Sequence, residues 1–399
     1  MSSFIKFLSV FTLILGSAYI YTGYRLAQGF GLDGVYLILF WIIIALLILM
    51  IPVSYFVSQL VQREKFQSVF SYLAFTGLGF FTILFSLVLL KDLLAFVYSL
   101  IQSFTYDLLK SFSFTAYFLK LEDQNYLSFF ISIATVSVTL LLTIYGFYQT
   151  HQRLRTLSID VPIKNLHPDL IGLKIAQISD VHIGSTIKGK FLKKVVSRIN
   201  HIQPDFVAIT GDLVDGPANL LKHHLLPLAD IKSRYGTFYI TGNHEYYSGV
   251  NAWITEIRKL GIHVLLNENR IIKHKNASIT LAGVTDLKAG SILPEHRTDP
   301  LRAMFGGEKS DIKILLAHQP NSALMAADVG FDLQLSGHTH GGQYFPGNLL
   351  IYLAQRFVSG IHKYKNMLIY VSRGTGYWGP PLRIGAPSEV TKLTLVAEN

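Results

Sequence analysis

Four long runs without a charged side chain lie in the first 150 residues, and they constrain the fold more than any other feature of the sequence. The runs cover residues 7–24, 34–62, 66–90 and 124–150. A helix needs roughly 20 mostly apolar residues to cross the hydrocarbon core of a bilayer. A water-soluble domain does not easily bury a helix that is apolar on every side. We therefore predict about four transmembrane helices.

Charged residues are concentrated after these runs. Residues 1–150 hold 7 of the 35 Lys and Arg residues and 6 of the 25 Asp and Glu residues, a net charge of +1, and the remainder has a net charge of +9. At 399 residues, the chain is long enough for two domains. We predict a transmembrane domain over 1–150, a basic connector over 151–171 and a soluble domain over 172–399.

Two parts of the membrane region leave alternatives open. The run 7–24 is short enough for a signal peptide, but no small-residue cleavage site precedes Arg25 and more spans follow, so we interpret it as an anchor. Leu93, Val97 and Leu100 recur at helical spacing within 91–123. That segment is an interfacial helix, an extension of the third span or a helix packed on its neighbours.

The basic residues near the span ends indicate the orientation of the chain. Four spans place both ends on one side of the membrane, together with Lys6, Arg63, Lys65, Arg153 and Arg155. Basic residues favour the cytoplasmic side. We expect an integral protein of the cell (plasma) membrane whose C-terminal domain is cytoplasmic.

The soluble part reads as an α/β domain. Apolar positions at helical spacing predict helices through Phe191–Ile202 and Trp253–Leu260. Strands are predicted at Leu173–Ile178, Phe206–Ile209, Phe238–Ile240, Ile279–Ala282, Ile312–Ala317, Leu333–Leu335, Met367–Val371 and Thr391–Val396. Strand–helix alternation followed by more β-rich sequence predicts a sheet sandwich with helices outside.

Five polar clusters follow apolar runs in this domain. They are Asp180-Val181-His182, Gly211-Asp212, Gly242-Asn243-His244, His318 and Gly337-His338-Thr339-His340. Ligands of α/β sheets gather outside the carboxyl ends of the strands, so residues far apart in sequence can meet there. The chain has no cysteine, which excludes disulfides, thiol nucleophiles and thiolate metal sites.

Each cluster has a metal-binding interpretation and a structural one. Asp180 and His182 are two residues apart, so an extended backbone places both on one face. Asp212 has two carboxylate oxygens and can contact two metals, whereas a Gly-Asp turn is the common alternative. Asn243 offers a neutral carbonyl oxygen, and the adjacent His244 can donate a proton to a leaving oxygen.

The histidines near the C-terminus add the strongest single signal. His338 and His340, two residues apart, can each bind a different metal, and the flanking glycines allow close approach. The alternative is a histidine pair without function in a glycine loop. His318 alone would be a hydrogen-bonded structural residue; the other clusters make it a candidate ligand.

The ordered clusters resemble the calcineurin-like metallophosphoesterase superfamily, and most closely its membrane-associated branch. The resemblance is carried by Ile178–Gly184, Thr241–Tyr247 and Ser336–Gly342, and it extends from about Gly172 to Glu398. It implies that the soluble domain is a metallophosphoesterase β-sandwich flanked by helices (αββα).

The resemblance also implies roles for individual residues. The implied ligands of two divalent ions are Asp180, His182 and His340 for the first, Asn243, His318 and His338 for the second, and Asp212 between them. His244 would be the catalytic histidine, oriented by Asp215. Oxygen and nitrogen ligands suit Mn, Fe, Zn or similar ions.

The expected activity is hydrolysis of phosphate esters or pyrophosphate bonds by water that the metals activate. A membrane anchor favours a lipid-linked substrate, such as a UDP-diacylglucosamine-like compound or a phospholipid. The alternatives are a nuclease or nucleotide phosphodiesterase, and a non-catalytic membrane sensor. A nucleic-acid partner is not favoured, because no basic run with interleaved aromatic residues stands out.

Two further features have open interpretations. Arg373, flanked by Ser372 and Gly374, is a phosphate contact or an ordinary surface arginine. Aromatic residues near the clusters form either an apolar rim for a lipid or packed core: Tyr246, Tyr247, Tyr344, Phe345, Tyr377 and Trp378.

Overall fold

The computed structural model describes residues 2–60, 64–109, 124–152 and 154–398. The chain divides into two compact units, Met1–Tyr145 and Gly146–Asn399. Each unit is described by itself below.

Long helices form the N-terminal unit. They are α1 (Ser2–Phe30), α2 (Gly34–Leu60), α3 (Glu64–Leu109) and α4 (Gln124–Gln152), the last of which continues into the second unit. Within the described residues, three segments are long and apolar enough to cross a membrane: Gly34–Ser54, Glu64–Ile101 and Tyr126–His151. The four uncharged runs thus coincide with four long helices, three of which have the length and composition of spans.

Helix α3 decides between the alternatives for the segment 91–123. It continues without interruption from Glu64 to Leu109, so the described part of the segment extends the third span. Residues 110–123 lie outside the described residues. The extension begins with Asp92, which accepts hydrogen bonds from Arg25 Nη2 at 2.6 Å and Nε at 2.7 Å and so ties α3 to α1.

Two six-stranded sheets form the C-terminal unit. The first sheet has the order β1-β12-β2-β3-β4-β5 and the second β10-β11-β9-β8-β7-β6. The strands are β1 (Arg155–Ile163), β2 (Lys174–Ile178), β3 (Phe206–Ile209), β4 (Thr237–Tyr239), β5 (His263–Val264), β6 (Glu268–His274), β7 (Ala277–Gly283), β8 (Ile312–Leu316), β9 (Leu333–Ser336), β10 (Gly360–Tyr364), β11 (Met367–Val371) and β12 (Glu389–Ala397).

Each sheet contains four consecutive parallel strands. In the first sheet β2, β3, β4 and β5 are parallel, and in the second β11, β9, β8 and β7 are parallel. Four strands lie outside these sets. Strand β12 is antiparallel to β2 and parallel to β1, β6 is antiparallel to β7, and β10 is antiparallel to β11. Parallel strands end together, so each sheet brings four carboxyl ends to one edge.

Alternating side chains build three apolar layers. Ile175 and Leu316 lie in the core between the sheets, whereas their neighbours Ala176 and Leu315 face the helices on the outer faces. Successive residues of a strand point to opposite faces, so a strand buried on both sides is continuously apolar. This arrangement confirms the predicted sandwich of two sheets flanked by helices.

The helices of this unit are α5 (Gly189–Ile202), α6 (Ala218–Leu221), α7 (Asn243–Tyr247), α8 (Val250–Lys259), α9 (Ala289–Ile292), α10 (Pro300–Met304), α11 (Ala323–Ala326) and α12 (Gly347–Ala354). Helix α5 buries the predicted face, with Val195 and Ile199 fully covered. It ends where predicted, with Gln203 left-handed at φ 52° and Pro204 following.

The sequence pattern did not predict four strands. Strand β1 lies inside the segment that we described as a basic connector, and β5, β6 and β10 also lacked a clear apolar run. In β1 and β6, exposed residues alternate with more buried ones, because each strand covers the core with one face only. Pro162 is tolerated in β1 because this strand lies at the sheet edge.

Candidate metal centre

The segments that directly follow the parallel strands hold all nine of the predicted site residues, seven after the strand ends and two, Asn243 and His244, in the first turn of α7. Asp180 and His182 follow β2, Asp212 and Asp215 follow β3, Asn243 and His244 follow β4, His318 follows β8, and His338 and His340 follow β9. Both sheets therefore contribute residues to a single edge, as the positions after the apolar runs indicated.

The first group of candidate ligands joins the two sheets. Asp180, His182 and His340 present ligand atoms within 4.8 Å of one another. His182 Nε2 lies 3.1 Å from His340 Nε2, and His340 Nε2 lies 3.5 Å from Asp180 Oδ1. Both oxygens of Asp180 also accept a hydrogen bond from the His338 backbone N–H, at 3.1 and 3.0 Å, which ties the β2 and β9 loops together.

The second group contains Asp212, His318 and His338. His318 Nε2 lies 3.2 Å from Asp212 Oδ2 and 3.2 Å from His338 Nδ1. His318 Nδ1 donates to the Thr210 carbonyl at 2.8 Å, which directs Nε2 toward the site. Asp212 also belongs to a third group with His182 and His244. The Asp212 carboxylate therefore links the second group to His182 of the first group.

His244 lies at the open side of this arrangement. Its Nδ1 is 3.0 Å from Asp215 Oδ1, and its Nε2 is 3.9 Å from Asp212 Oδ2. Asp212 Oδ1 accepts a hydrogen bond from the His244 backbone N–H at 2.9 Å. The ring is therefore fixed at Nδ1 by Asp215, and Nε2 faces Asp212 on the partly exposed side of the site, here called the cleft.

A buried amide oxygen tests whether the site fits a metal. Asn243 is buried, and its Oδ1 has no hydrogen-bond partner among the described residues. Buried polar atoms are nearly always paired, so this oxygen, which lies among the candidate ligands, is free to bind a cation. Carboxylate, imidazole and amide groups together suit transition-metal cations. The residues present thus fit divalent metal ions.

Burial and neighbouring charge favour the cation-binding forms of four candidate ligands, whereas burial raises the pKa of Asp180. Burial lowers the pKa of His182 and of His338 to about 4 and holds that of His340 well below its ordinary value, so these imidazoles are neutral. Burial opposes ionisation of Asp212, but the neighbouring histidines, His318 above all, hold its pKa well below the usual value. A neutral imidazole and an ionised carboxylate are the forms that bind metals.

Two histidines have pKa values shifted the other way. For His318, burial opposes protonation, but the charge of Asp212 raises its pKa well above the ordinary value. For His244, burial again opposes protonation, and the hydrogen bond to Asp215 and the charge of Asp212 raise its pKa to about 9. A proton between His318 and Asp212 occupies a position where a cation would satisfy the same atoms.

Unusual backbone conformations accompany the candidate ligands. Five of them have left-handed φ values between 50° and 71°: Asp180, His182, Asp212, His338 and His340. Such conformations are uncommon outside glycine, cost on the order of 1–3 kcal/mol each, and cluster at functional sites. A Cβ at Gly337 would overlap Ser179 Oγ and Asp180 Oδ2, so the β9 loop can approach Asp180 only with glycine there.

Glu245 holds the loop that carries Asp212. Its buried carboxylate accepts backbone N–H hydrogen bonds from Asp212 at 3.0 Å, Leu213 at 2.7 Å, Val214 at 3.2 Å and Gly242 at 2.6 Å. The residue after the candidate catalytic histidine therefore positions the candidate bridging ligand.

Sequence reasoning missed Asp286. It is buried beyond the end of β7, and both its oxygens accept from Gln319 Nε2, at 3.0 and 2.9 Å, next to His318. The signal used for the other residues, a polar side chain after an apolar run, was present here too.

Sequence reasoning also missed Arg383, a fully buried arginine. It donates to the carbonyls of Gly376, Arg373 and Ala386 at 2.5–2.8 Å, and its Nη2 lies 3.2 Å from His340 Nδ1. Burial lowers its pKa to about 10, within the range where it remains charged at neutral pH. No feature of the sequence distinguishes it from a surface arginine.

The predicted rim residues separate into two sets. Tyr246 and Tyr377 are buried, and Tyr344 and Phe345 are half-buried, whereas Tyr247 and Trp378 are exposed. The rings of Tyr247 and Trp378 lie 5.5 and 5.7 Å from the His244 ring, measured between centroids. Exposed aromatic surface therefore borders the cleft at the candidate catalytic histidine.

Two stacked mixed sheets with outer helices, and an edge rich in aspartate and histidine, define the class of this protein as a metallophosphoesterase. A family model described as calcineurin-like phosphoesterase matches residues 173–342. The chain belongs to this family, because a relative of which it covers 97% is 32% identical over the 260 matched residues.

Three relatives illustrate the range. A "Transmembrane protein with metallophosphoesterase domain" from Danio rerio is 35% identical over 276 residues, covering 67% of this chain and 63% of the relative. An "Uncharacterized metallophosphoesterase" from Campylobacter jejuni is 42% identical over 240 residues, covering 60% and 62%. Another from Aquifex aeolicus is 32% identical over 260 residues, covering 65% and 97%. The chain thus spans somewhat less than two thirds of the first two relatives.

Replacing Arg383 tests how the site is positioned. Arg383→Met keeps the volume but leaves three buried carbonyls without their donor, each a cost of about 1–3 kcal/mol. We expect the affinity for Mn²⁺ to fall by about tenfold or more, as for other groups that orient a metal-bound histidine. Titration calorimetry of the purified full chain with Mn²⁺ measures this affinity. The matched change Arg302→Met, at an exposed arginine of α10, should leave it unchanged; equal affinities in both variants would contradict the assigned role.

Proposed function

We propose that the chain is a membrane-anchored phosphoesterase with two metal ions. In this proposal residues 1–150 form the membrane domain, 151–171 the connector and 172–399 the catalytic domain. Asp180, His182 and His340 hold one ion, Asn243, His318 and His338 hold the other, and Asp212 bridges them. Two divalent cations would screen the charge of a phosphate ester and lower the pKa of a water molecule towards about 7.

One observation carries the proposal. Asp212 Oδ2 lies 3.2 Å from His318 Nε2 and 3.9 Å from both His182 Nε2 and His244 Nε2, so it faces candidate ligands of both groups. A carboxylate between two nitrogen- and oxygen-rich groups is the arrangement that a pair of cations requires. The unpartnered oxygen of Asn243 supports a ligand role at the second ion.

His244 is proposed as the catalytic acid. The hydrogen bond of its Nδ1 to Asp215 leaves Nε2 directed into the cleft. A proton held there can pass to the leaving oxygen of the substrate when the bond to phosphorus breaks. Asp215 acts through this histidine by fixing its ring, and it is therefore a positioning residue.

A phosphate ester linked to a lipid is the proposed substrate. The chain carries segments with the length and composition of membrane spans, and Tyr247 and Trp378 expose aromatic surface beside His244. An apolar border at the cleft suits a substrate whose phosphate is attached to a hydrocarbon chain. UDP-diacylglucosamine-like compounds and phospholipids both meet this description.

The proposed location is the plasma membrane with the catalytic domain in the cytoplasm. The support is the set of basic residues at the span ends, Lys6, Arg63, Lys65, Arg153 and Arg155. Fusing a reporter after Asn399 tests it: a cytoplasm-active reporter should be active, and activity of a reporter that works only outside the cytoplasm would contradict it.

Variants of the two central residues separate catalysis from metal binding. We expect His244→Ala to retain its metals and lose about 10²–10⁴-fold in turnover of an aryl phosphate, because proton donation is removed. Asp212→Asn should weaken both ions, since one bridging charge is lost. Metal content of the purified protein and steady-state kinetics measure the two effects.

The controls for these variants are exposed residues of the same type, His201→Ala and Asp230→Asn. Both should behave as the unmodified chain. Wild-type rates in His244→Ala and Asp212→Asn would refute the scheme. Wild-type protein that binds metal but hydrolyses neither nucleotide diphosphates, phospholipids nor aryl esters would instead support a sensor, and DNA cleavage that falls steeply with salt would support a nuclease.

Arg373 is proposed as a phosphate contact. It follows β11 at the same edge, and its side-chain Cγ would lie 3.2 Å from a Cβ built on Gly341, in the β9 loop. We expect Arg373→Ala to raise KM for the substrate by about tenfold without loss of metal, as for a charge-assisted hydrogen bond worth about 1.5 kcal/mol. Arg302→Ala is the control, and an unchanged KM in Arg373→Ala would mark it as an ordinary surface arginine.

A further inference from the structure

Helix α12 is an apolar helix whose outer face no described residue covers. It begins at Gly347, shortly after His340, and within the described chain none of its side chains is buried. Its large apolar residues are Leu349, Leu350, Tyr352 and Leu353, exposed to 62%, 55%, 66% and 85%. These positions recur at helical spacing and form one surface, here called the α12 face.

A helix of this length is not stable by itself. Isolated helices shorter than about 12–15 residues are marginal in water, and most helices in proteins gain stability by packing an apolar face. Contiguous exposed apolar surface marks a site of interaction with a protein or a membrane. The α12 face is therefore a candidate docking surface.

Contacts within the C-terminal unit connect α12 to a candidate membrane span. The Asn348 side chain in the first turn of α12 donates to the Ile384 carbonyl at 3.4 Å. The neighbouring Arg383 backbone N–H donates to the carbonyl of Gly146 at 3.1 Å. Gly146 belongs to the apolar segment Tyr126–His151. The start of α12 is thus linked, within its own unit, through Ile384 and Arg383 to Gly146.

The same helix is connected to the border of the cleft. The Gln343 side chain, four residues before α12, accepts from the Trp378 backbone N–H at 2.9 Å and donates to the Trp378 carbonyl at 3.0 Å. Trp378 is exposed and lies beside His244. Tryptophan and tyrosine are enriched where membranes meet water, and leucine inserts below them.

We propose that the α12 face is a membrane-docking surface that inserts into the bilayer in which the chain is anchored. The apolar side chains of an interfacial helix enter about 5–10 Å into the boundary between headgroups and acyl chains. Docking in this way holds the cleft beside Trp378 at the level of the lipid phosphates. This last consequence rests on the proposed function, whereas the docking itself does not.

The absence of cysteine from the chain provides a direct test. A single cysteine introduced by Leu353→Cys is labelled with an environment-sensitive fluorophore, and the full chain is reconstituted into phosphatidylcholine nanodiscs containing nitroxide-labelled lipid. The control is Ile171→Cys, an exposed apolar residue before the amino end of β2, at the opposite sheet edge from the metal site. We expect lipid nitroxide to quench the probe at position 353 at least about twofold more than at 171, because only the former lies at membrane depth.

Two results would overturn the proposal. Equal quenching by aqueous iodide at positions 353 and 171 would place the α12 face in water. Protection of position 353 from both quenchers would show that protein covers it, such as a second copy of the chain. Leu350→Cys repeats the measurement at a second exposed site, so a poorly folded variant does not decide the outcome.

The measurement is independent of turnover. It can be repeated with His244→Ala, whose probe should report the same depth. Membrane insertion of an unmodified, metal-loaded chain that hydrolyses no phosphate ester would leave docking supported and the proposed activity refuted. A water-exposed probe on a fully active enzyme would support the proposed activity and refute docking.

Discussion

The buried carboxylate of Asp212 is the constraint on which the rest of the site depends. It lies within 3.9 Å of three imidazoles, and the loop that carries it is held by a second buried carboxylate, that of Glu245. Burial and the charge of Asp212 raise the pKa of Glu245 to about 7. Two buried acidic groups this close together are costly unless positive charge compensates them. Nearby imidazoles supply part of that positive charge. Bound divalent cations, which are expected in this family, would supply the remainder.

The geometry of the loops follows from the same requirement. Candidate ligands from two sheets can reach one point only if the loops approach closely. At Gly211, Gly242 and Gly337 the neighbouring loop is so close that a Cβ would overlap its atoms. Five candidate ligand residues adopt left-handed conformations shortly after their strands, where the strand ladders hold the backbone on one side. Strain of this kind persists where the surrounding structure determines the conformation. The packing of the two sheets therefore offsets the conformational strain at the site.

Much of this arrangement could be predicted because the buried strands are short, apolar and ended by polar residues. The bounds of β3 and β11 agree with the prediction, as do the buried face and the end of α5. Strands β1, β6 and β10 lie at sheet edges, where one face meets solvent and the apolar signal is weak. The burial of Arg383 depends on loop carbonyls distant in sequence, so composition cannot reveal it. The exposure of α12 could not be predicted from the sequence either, because an apolar segment is normally expected to be buried.

If α12 docks as proposed, its position in the chain links membrane contact to the candidate metal centre. The metal-ligand turn and the first turn of α12 are in backbone contact, because a Cβ at Gly342 would overlap the Gly347 carbonyl and the Asn348 Cα. A surface fixed so closely to His340 cannot shift relative to the cleft without moving a candidate ligand. If α12 docks as proposed, the height of the cleft above the bilayer is set by the fold itself. Such an enzyme would select substrates by the depth of their phosphate as much as by the shape of a pocket, which accounts for an open cleft bordered by aromatic rings.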